Sequence, residues 1–215
     1  MSLSADETRR YARHLVLKDI GGAGQQKLKA ARVAVIGAGG LGSPVIAYLA
    51  AAGIGTIGVV DNDHVSISNL QRQIVHRTED VGVGKAANAG RFVAAMNPYV
   101  SVVPHEARLT ADNARTLLDS YDLVIDGTDN FETRFLINDA AVKQRLPWVY
   151  GGCLGAEGQL GIGAEEPQDA RGGGGELREP LGQTGSASPV TVLVPPAVFE
   201  KEDAVFDLPV MANRG

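Results

Sequence analysis

Residues 32–61 constrain the fold of this chain more tightly than any other stretch. Arg32-Val33-Ala34-Val35-Ile36 is a compact apolar run that passes directly into Gly37-Ala38-Gly39-Gly40-Leu41-Gly42. An alanine-rich segment from about Leu41 to Ala52 follows, with Pro44 in its first turn, where a missing amide hydrogen costs little. Gly53 closes that segment, and Thr56 to Val60 is a second apolar run. Strand, glycine turn, helix and strand make a βαβ unit, and so short a connection implies parallel, right-handed pairing.

The alternation extends along the chain. Ser4-Ala5-Asp6-Glu7 has the form of a capping box opening a helix to about Leu17, with Tyr11, Leu15 and Ile20 available for packing. Gly21 and Gly22 are expected to break it, before a short helix from about Gln25 to Ala31. Beyond the βαβ unit, Gly84 to Met96 reads as a helix stopped by Asn97-Pro98, and Val100 to Val103 as a strand. Thr110 to Leu118 is helical with Thr110 as cap, Asp122 to Asp126 a strand, Phe131 to Arg145 a helix and Trp148 to Tyr150 a strand. The fold class is therefore α/β: a doubly wound, mainly parallel, Rossmann-like sheet with an N-terminal helical segment. From about Ile162 the periodicity is lost in a stretch containing Ala170-Arg171-Gly172-Gly173-Gly174-Gly175 and Val194-Pro195-Pro196, where only Val190 to Val194 resembles a strand. The expected organisation is a nucleotide-binding domain over 1–161 and a divergent, poorly ordered tail over 162–215.

Composition narrows the partners. The 215 residues can bury one sizeable core, and 44% hydrophobic with 21% charged residues is ordinary for a globular protein. A net charge of -5 argues against a nucleic-acid partner, which would favour a basic face. The single cysteine, Cys153, cannot form an internal disulfide, which suits a reducing compartment. No run approaches the roughly 20 apolar residues that span a bilayer, and no secretory signal is visible, so a cytoplasmic location is expected.

The chemistry starts at the glycine turn. Gly37, Gly39 and Gly42 have the GxGxxG spacing that gives a tight turn, close approach to phosphate and close helix packing. Asp61, at the end of the next strand, is placed to accept bonds from ribose hydroxyls. Alone, these residues fit NAD, or a purely structural turn. Ser68-Asn69-Leu70-Gln71-Arg72-Gln73 follows the second strand, Lys85 opens the next helix, and Asp126-Gly127-Thr128-Asp129-Asn130 ends a later strand. In an open α/β sheet these segments meet beyond the carboxyl ends of the strands. They bring a ribose acceptor, two cations and a carboxylate suited to Mg²⁺, a set that matches a nucleoside triphosphate better than a dinucleotide. The plain alternative is that Arg72 and Lys85 are solvated surface charges.

At this point the residues resemble the adenylating enzymes of the ThiF/MoeB/HesA type, related to the ubiquitin-activating E1 enzymes. The resemblance covers about residues 4–163 and rests on Tyr11-Ala12-Arg13-His14, Gly37 to Gly42, Asp61-Asn62-Asp63, Ser68 to Gln73, Gly84-Lys85, and Asp126 to Asn130 with Arg134. Within that family the sequence looks most like the molybdopterin-synthase adenylyltransferase branch. The resemblance implies that Gly40, Asp61, Asn69, Arg72, Lys85 and Asp129 match ATP-site positions, with Asp129 as the magnesium carboxylate; Gly37, Gly39, Gly42, Ser68, Leu70, Gln71 and Asn130 are expected to line the same site. It implies that Arg13 is supplied across a homodimer interface to the neighbouring active site. The implied substrate is a small ubiquitin-like sulfur carrier ending in Gly-Gly, converted to its acyl-adenylate with release of pyrophosphate.

The reaction asks for little beyond this. A terminal carboxylate, with a pKa near ~3.5, is already anionic at neutral pH and needs no general base. Catalysis then rests on alignment and charge stabilisation, which Arg13, Arg72, Lys85 and magnesium can supply. The resemblance also implies a structural zinc held by two Cys-x-x-Cys pairs beyond about residue 165, and those cysteines are absent. The departure suggests a frameshifted or divergent ending, and it puts the carrier groove in question. Two further readings stay open: a nucleotide-binding homodimer with weak or lost catalysis, and an NAD-dependent oxidoreductase. Cys153 is expected to be a small buried core residue. His14, His64, His76 and His105 lack metal-ligand spacing and are expected on the surface or in packing, and Tyr11 and the Phe131/Phe135 pair in the core.

Overall fold

The computed structural model describes residues 2–154, 157–163 and 192–193. Helices α1 (Ala5–Arg10), α2 (Ala12–Leu15) and α3 (Gly21–Ala30) precede strand β1 (Arg32–Ile36), helix α4 (Gly42–Ala52) and strand β2 (Thr56–Val60). Helix α5 (Lys85–Met96), β3 (Ser101–His105), α6 (Ala111–Leu118), β4 (Leu123–Asp126) and α7 (Phe131–Gln144) continue the alternation. Strands β5 (Trp148–Leu154), β6 (Glu157–Gly163) and β7 (Val192–Leu193) complete a seven-stranded sheet of order β3-β2-β1-β4-β5-β6-β7. Strands β1 to β5 pair in parallel. The winding reverses between β1 and β4, which is the switch point where such sheets bind ligands.

Both faces of the central strands are covered, which is why β1 reads as a continuous apolar run rather than an alternating one. Val33 and Val35 face one core with Ile57, Val59, Ile46 and Val93. Ala34 and Ile36, on the opposite face, join Val124, Leu118, Ile137 and Trp148. The period of two in β1 thus divides its side chains between two helical layers.

The N-terminal helices pack at the amino ends of the strands. Ser4 and Glu7 form the expected capping box, with Ser4 N donating to Glu7 Oε2 at 2.8 Å and Glu7 N to Ser4 Oγ at 3.2 Å. The helix does not run on to Leu17. It breaks at Tyr11, whose buried ring lies against Gly53 while its hydroxyl accepts from Asn97 Nδ2 at 2.8 Å. Gln25, fully buried, donates to the Ala52 carbonyl at 2.9 Å, and its Oε1 lies 2.8 Å from His14 Nδ1. Helix α3 begins at Gly21, which enters with φ +54°, so the glycine pair starts a helix rather than separating two.

At the other edge the chain departs further from expectation. Gly151 and Gly152 continue β5 instead of ending it, and β5 pairs antiparallel with β6 from Trp148↔Gly163 to Leu154↔Glu157. Strand β6 runs to Gly163, two residues past the expected division at 161, and Val192–Leu193, inside the expected strand at 190–194, pairs with it. The rest of the expected tail lies outside the described residues. Among those described, no helix is long and apolar enough to cross a membrane.

Candidate active site

The turn after β1 is built by close backbone packing. Gly37 has φ +91°, and a Cβ there would come within 3.0 Å of the Gly127 carbonyl oxygen. A Cβ on Gly42 would fall on the Gly37 carbonyl, so only glycine lets α4 start this close to the turn. Asp61, at the end of β2, braces the turn: its Oδ2 accepts from Ala38 N at 2.8 Å, and its Oδ1 accepts from Asp63 N at 2.8 Å. Both oxygens retain lone pairs toward solvent, which keeps the predicted ribose contact chemically open.

The segment after β2 folds back over this turn. Ser66 N donates to Asn69 Oδ1 at 3.1 Å, shaping a 3-10 turn at Ile67–Asn69. The Arg72 side chain lies against Gly40, where a Cβ would meet Arg72 Cδ at 3.2 Å. Arg72 Nη1 donates to the Ser68 carbonyl and to Gln71 Oε1, each at 3.3 Å, so Ser68 and Gln71 hold the guanidinium in place. Leu70 is half-buried beneath the same loop. Gln73 is buried with its Nε2 facing Gly39, and among the described residues its Oε1 has no hydrogen-bond partner.

Lys85 is the first residue of α5 and is buried, with Nζ 2.9 Å from Asp63 Oδ2. Asp63 is largely exposed, so the pair sits at the rim, with the ammonium inside and the carboxylate outside. The Lys85 amide also donates to the Asp63 carbonyl at 2.8 Å, tying the start of α5 to the loop after β2.

The turn after β4 depends on a buried ion pair. Asp126, 1% exposed, accepts from Arg134 Nε at 2.9 Å on Oδ2, and from Thr128 N at 2.9 Å and Thr128 Oγ1 at 2.6 Å on Oδ1. Arg134 also donates to the Gly151 carbonyl at 2.6 Å and to that of Thr128 at 3.3 Å, with its guanidinium over Tyr150. Asn130 caps α7, its Oδ1 accepting from Thr133 N at 2.8 Å. Asp129 is thereby held exposed between the two, on a loop whose Gly127 touches Gly37 and Gly42. A single exposed carboxylate suits Mg²⁺, which keeps most of its waters and takes its other ligands from phosphate. Among the described residues no group of three or more His, Cys, Asp or Glu could hold a metal ion alone.

The expected residues thus occupy the carboxyl ends of β1, β2 and β4, with one exception. Arg13 lies on α2, exposed, at the opposite rim of the sheet. Two core expectations are corrected. Cys153 is exposed on β5, because the antiparallel hairpin turns it outward. Phe131 and Phe135 are exposed, their rings tilted 32° to each other with centroids 6.4 Å apart along the outer face of α7. The fold also assembles a polar chain beneath the glycine turn that the sequence does not reveal. His76 Nε2 lies 3.1 Å from the Ala38 carbonyl oxygen and Nδ1 2.8 Å from Asn88 Nδ2, and Asn88 leads to Asp80 and Arg91. Burial, aided by the Lys85 charge, pushes the His76 pKa below its ordinary value, against the Ala38 contact. Its partners are scattered in sequence, and no spacing signal announces them.

Known proteins bear on this geometry. The ThiF family model matches residues 11–170. The chain is 53% identical over 171 residues to a probable adenylyltransferase/sulfurtransferase MoeZ of Mycobacterium tuberculosis, covering 80% of this chain and 44% of that protein. It is 48% identical over 162 residues to a sulfur carrier protein adenylyltransferase of Thermus thermophilus, covering 75% of this chain and 60% of that one. The chain therefore spans about half the length of the curated relatives it matches. An E. coli tRNA N6-threonylcarbamoyladenosine dehydratase, TcdA, solved in complex with ATP, superposes with a TM-score of 0.68 at 29% identity, over 72% of this chain and 64% of that one. With its turns at the switch point and this match over most of its length, the chain belongs to the ThiF family.

Proposed function

We propose that this chain adenylates the C-terminal glycine carboxylate of a small ubiquitin-like sulfur carrier with ATP, acting as an E1-like adenylyltransferase in the cytoplasm. The observation that carries the reading is the meeting of three turns at one switch point: the glycine turn, the Arg72 loop packed on Gly40, and the Asp126–Asn130 loop packed on Gly37 and Gly42. The names of the relatives support the reaction and the carrier, and the ATP in the TcdA complex supports the nucleotide.

We assign residues 1–161 to the nucleotide-binding unit and 162–215 to a divergent tail, of which 162–163 and Val192–Leu193 add to the sheet. Gly37, Gly39, Gly40 and Gly42 admit the triphosphate, Asp61 accepts from the ribose, and Ser68 to Gln71 with Asn130 shape the rim. The carrier's carboxylate oxygen attacks the α-phosphorus; the new O–P bond forms as the bond to the bridging oxygen breaks. Pyrophosphate departs with that electron pair. Arg72 and Lys85 stabilise the charge that accumulates on the phosphates. Lys85 has only to exchange its exposed partner Asp63 for a phosphate oxygen. Bound magnesium, held by Asp129, would supply further charge neutralisation.

Arg13 acts in this scheme from a second copy of the chain. What supports this is its placement: Tyr11 packs on Gly53 and Asn97 at the amino ends of β2 and β3, whereas the turns lie at the carboxyl ends. A five-residue strand separates the rims by roughly 17 Å, too far for a side chain to reach its own site.

ATP–pyrophosphate exchange with a Gly-Gly-ended carrier tests the proposal. Carrier-dependent exchange, abolished by Asp129→Ala, is expected. Nucleotide binding without exchange would favour a binding protein instead, and NAD binding without ATP binding would overturn the assignment.

A further inference from the structure

We infer that His76 is a positioning residue for the phosphate-facing turn, holding the Ala38 carbonyl through Nε2–H in a neutral tautomer that Asn88 selects. This rests on the proposed nucleotide reading of the turn. The Ala38 peptide is gripped at both ends: Asp61 Oδ2 takes its N–H at 2.8 Å, and its carbonyl meets His76 Nε2 at 3.1 Å and Ser43 Oγ at 3.3 Å. Gly39 and Gly40, the residues proposed to face phosphate, follow directly, so this peptide sets where their amides point.

The tautomer follows from charge rather than from the ring itself. Asp80 Oδ2, a carboxylate that can only accept, lies 3.1 Å from Asn88 Nδ2. Arg91 Nη2, which can only donate, lies 2.9 Å from Asn88 Oδ1. These two ions fix the amide orientation, so Asn88 presents N–H to His76 Nδ1 at 2.8 Å. Nδ1 must accept, and the ring proton must reside on Nε2, facing Ala38.

A second proton on His76 would put two donors face to face at Asn88. The groups around the ring are Lys85 and Arg91 from α5, which oppose that charge, and Asp61 after β2 and Asp80 in the turn Thr78–Asp80, which favour it. Burial adds to the opposition and dominates. The Asn88 contact that orients the strut is therefore intact at neutral pH and is lost in acid, below the imidazole's ordinary pKa of about 6.5, leaving Nε2–H on Ala38 without its brace.

The test uses the full chain with His76→Leu and His76→Gln. Leucine removes both hydrogen bonds, whereas glutamine keeps a donor within reach of Ala38. His76→Leu is expected to raise the KM for ATP about tenfold with kcat changed far less, as for one lost hydrogen bond. His76→Gln should recover most of the loss and remove the acid limb from the pH profile of ATP affinity. Without ligand, amide hydrogen exchange at residues 37–42 should speed up in His76→Leu, and ¹⁵N shifts of the wild-type ring should place the proton on Nε2. Unchanged KM and unchanged exchange in His76→Leu would overturn the inference, as would a proton on Nδ1. If His76→Leu does not fold, the wild-type ring shifts and the glutamine pH profile decide between the two outcomes. Failure of the wild-type protein to bind ATP would remove the nucleotide reading, while hydrogen exchange and ring shifts would still judge the strut.

Discussion

The turn after β1 and the turn after β4 touch one another, yet they are held by opposite means. The first is a backbone structure: Gly37 and Gly42 pack within contact of each other, and neutral or rim-facing groups brace the peptide between them. The second is an electrostatic structure, in which the buried Asp126–Arg134 pair organises Thr128 and reaches across to Gly151. The first turn relies on amides and small residues, with the Asp61 carboxylate spent on the Ala38 and Asp63 amides. The second turn uses a buried carboxylate in its frame, because an arginine neutralises it.

Breaking the second turn should have the largest effect. Asp126→Ala leaves Arg134 buried without its partner and should cost about 3–5 kcal/mol in urea unfolding, with loss of pyrophosphate exchange. Adding Arg134→Met should restore much of the stability, since an apolar side chain of similar length tolerates burial, but not the exchange, because Thr128 and Asp129 lose their anchor. Recovery of exchange in the double variant would show that the pair is packing alone.

Gly42→Ala breaks the first turn by overpacking and should destabilise by about 1–3 kcal/mol in the same unfolding measurement, while weakening ATP binding in a titration. Equal ATP affinity in Gly42→Ala and wild type would mean that the turn need not be this tight.

The smallest effect serves as a control at the opposite rim. Ser4→Ala removes the α1 cap and should cost about 1 kcal/mol in thermal or urea unfolding without changing ATP affinity. The Glu7 carboxyl is held below its ordinary pKa by the hydrogen bond from Lys29 and then by the Ser4 amide. Its contribution to stability is therefore present above the ordinary value of 4.5 and disappears as pH falls through the lower folded value. Lys29→Met should flatten that part of the stability–pH curve.

What the sequence reveals follows the same division. The glycine turn is legible because its requirements are local: strand, three spaced glycines and helix within a few residues. Strands β1 and β2 fall where their apolar runs place them. The hairpin of β5 and β6 is hidden, because Gly151 and Gly152 look like a break until β6 pairs with them. Phe131 and Phe135 mislead for a related reason: helical spacing shows that two rings share a face, but not whether that face meets the core. His76 and Asn88 are illegible because only the folded chain brings them together.

The anchoring of Tyr11 against Gly53 and Asn97 has a kinetic consequence for the proposed reaction. It fixes Arg13 on the far rim, and under the proposed scheme the site is then completed only by an encounter between two molecules. Specific activity should then fall on dilution, with a midpoint that reports the association constant of the pair. Mixing Arg13→Ala chains with chains carrying an inactive turn should restore part of the turnover that neither possesses alone.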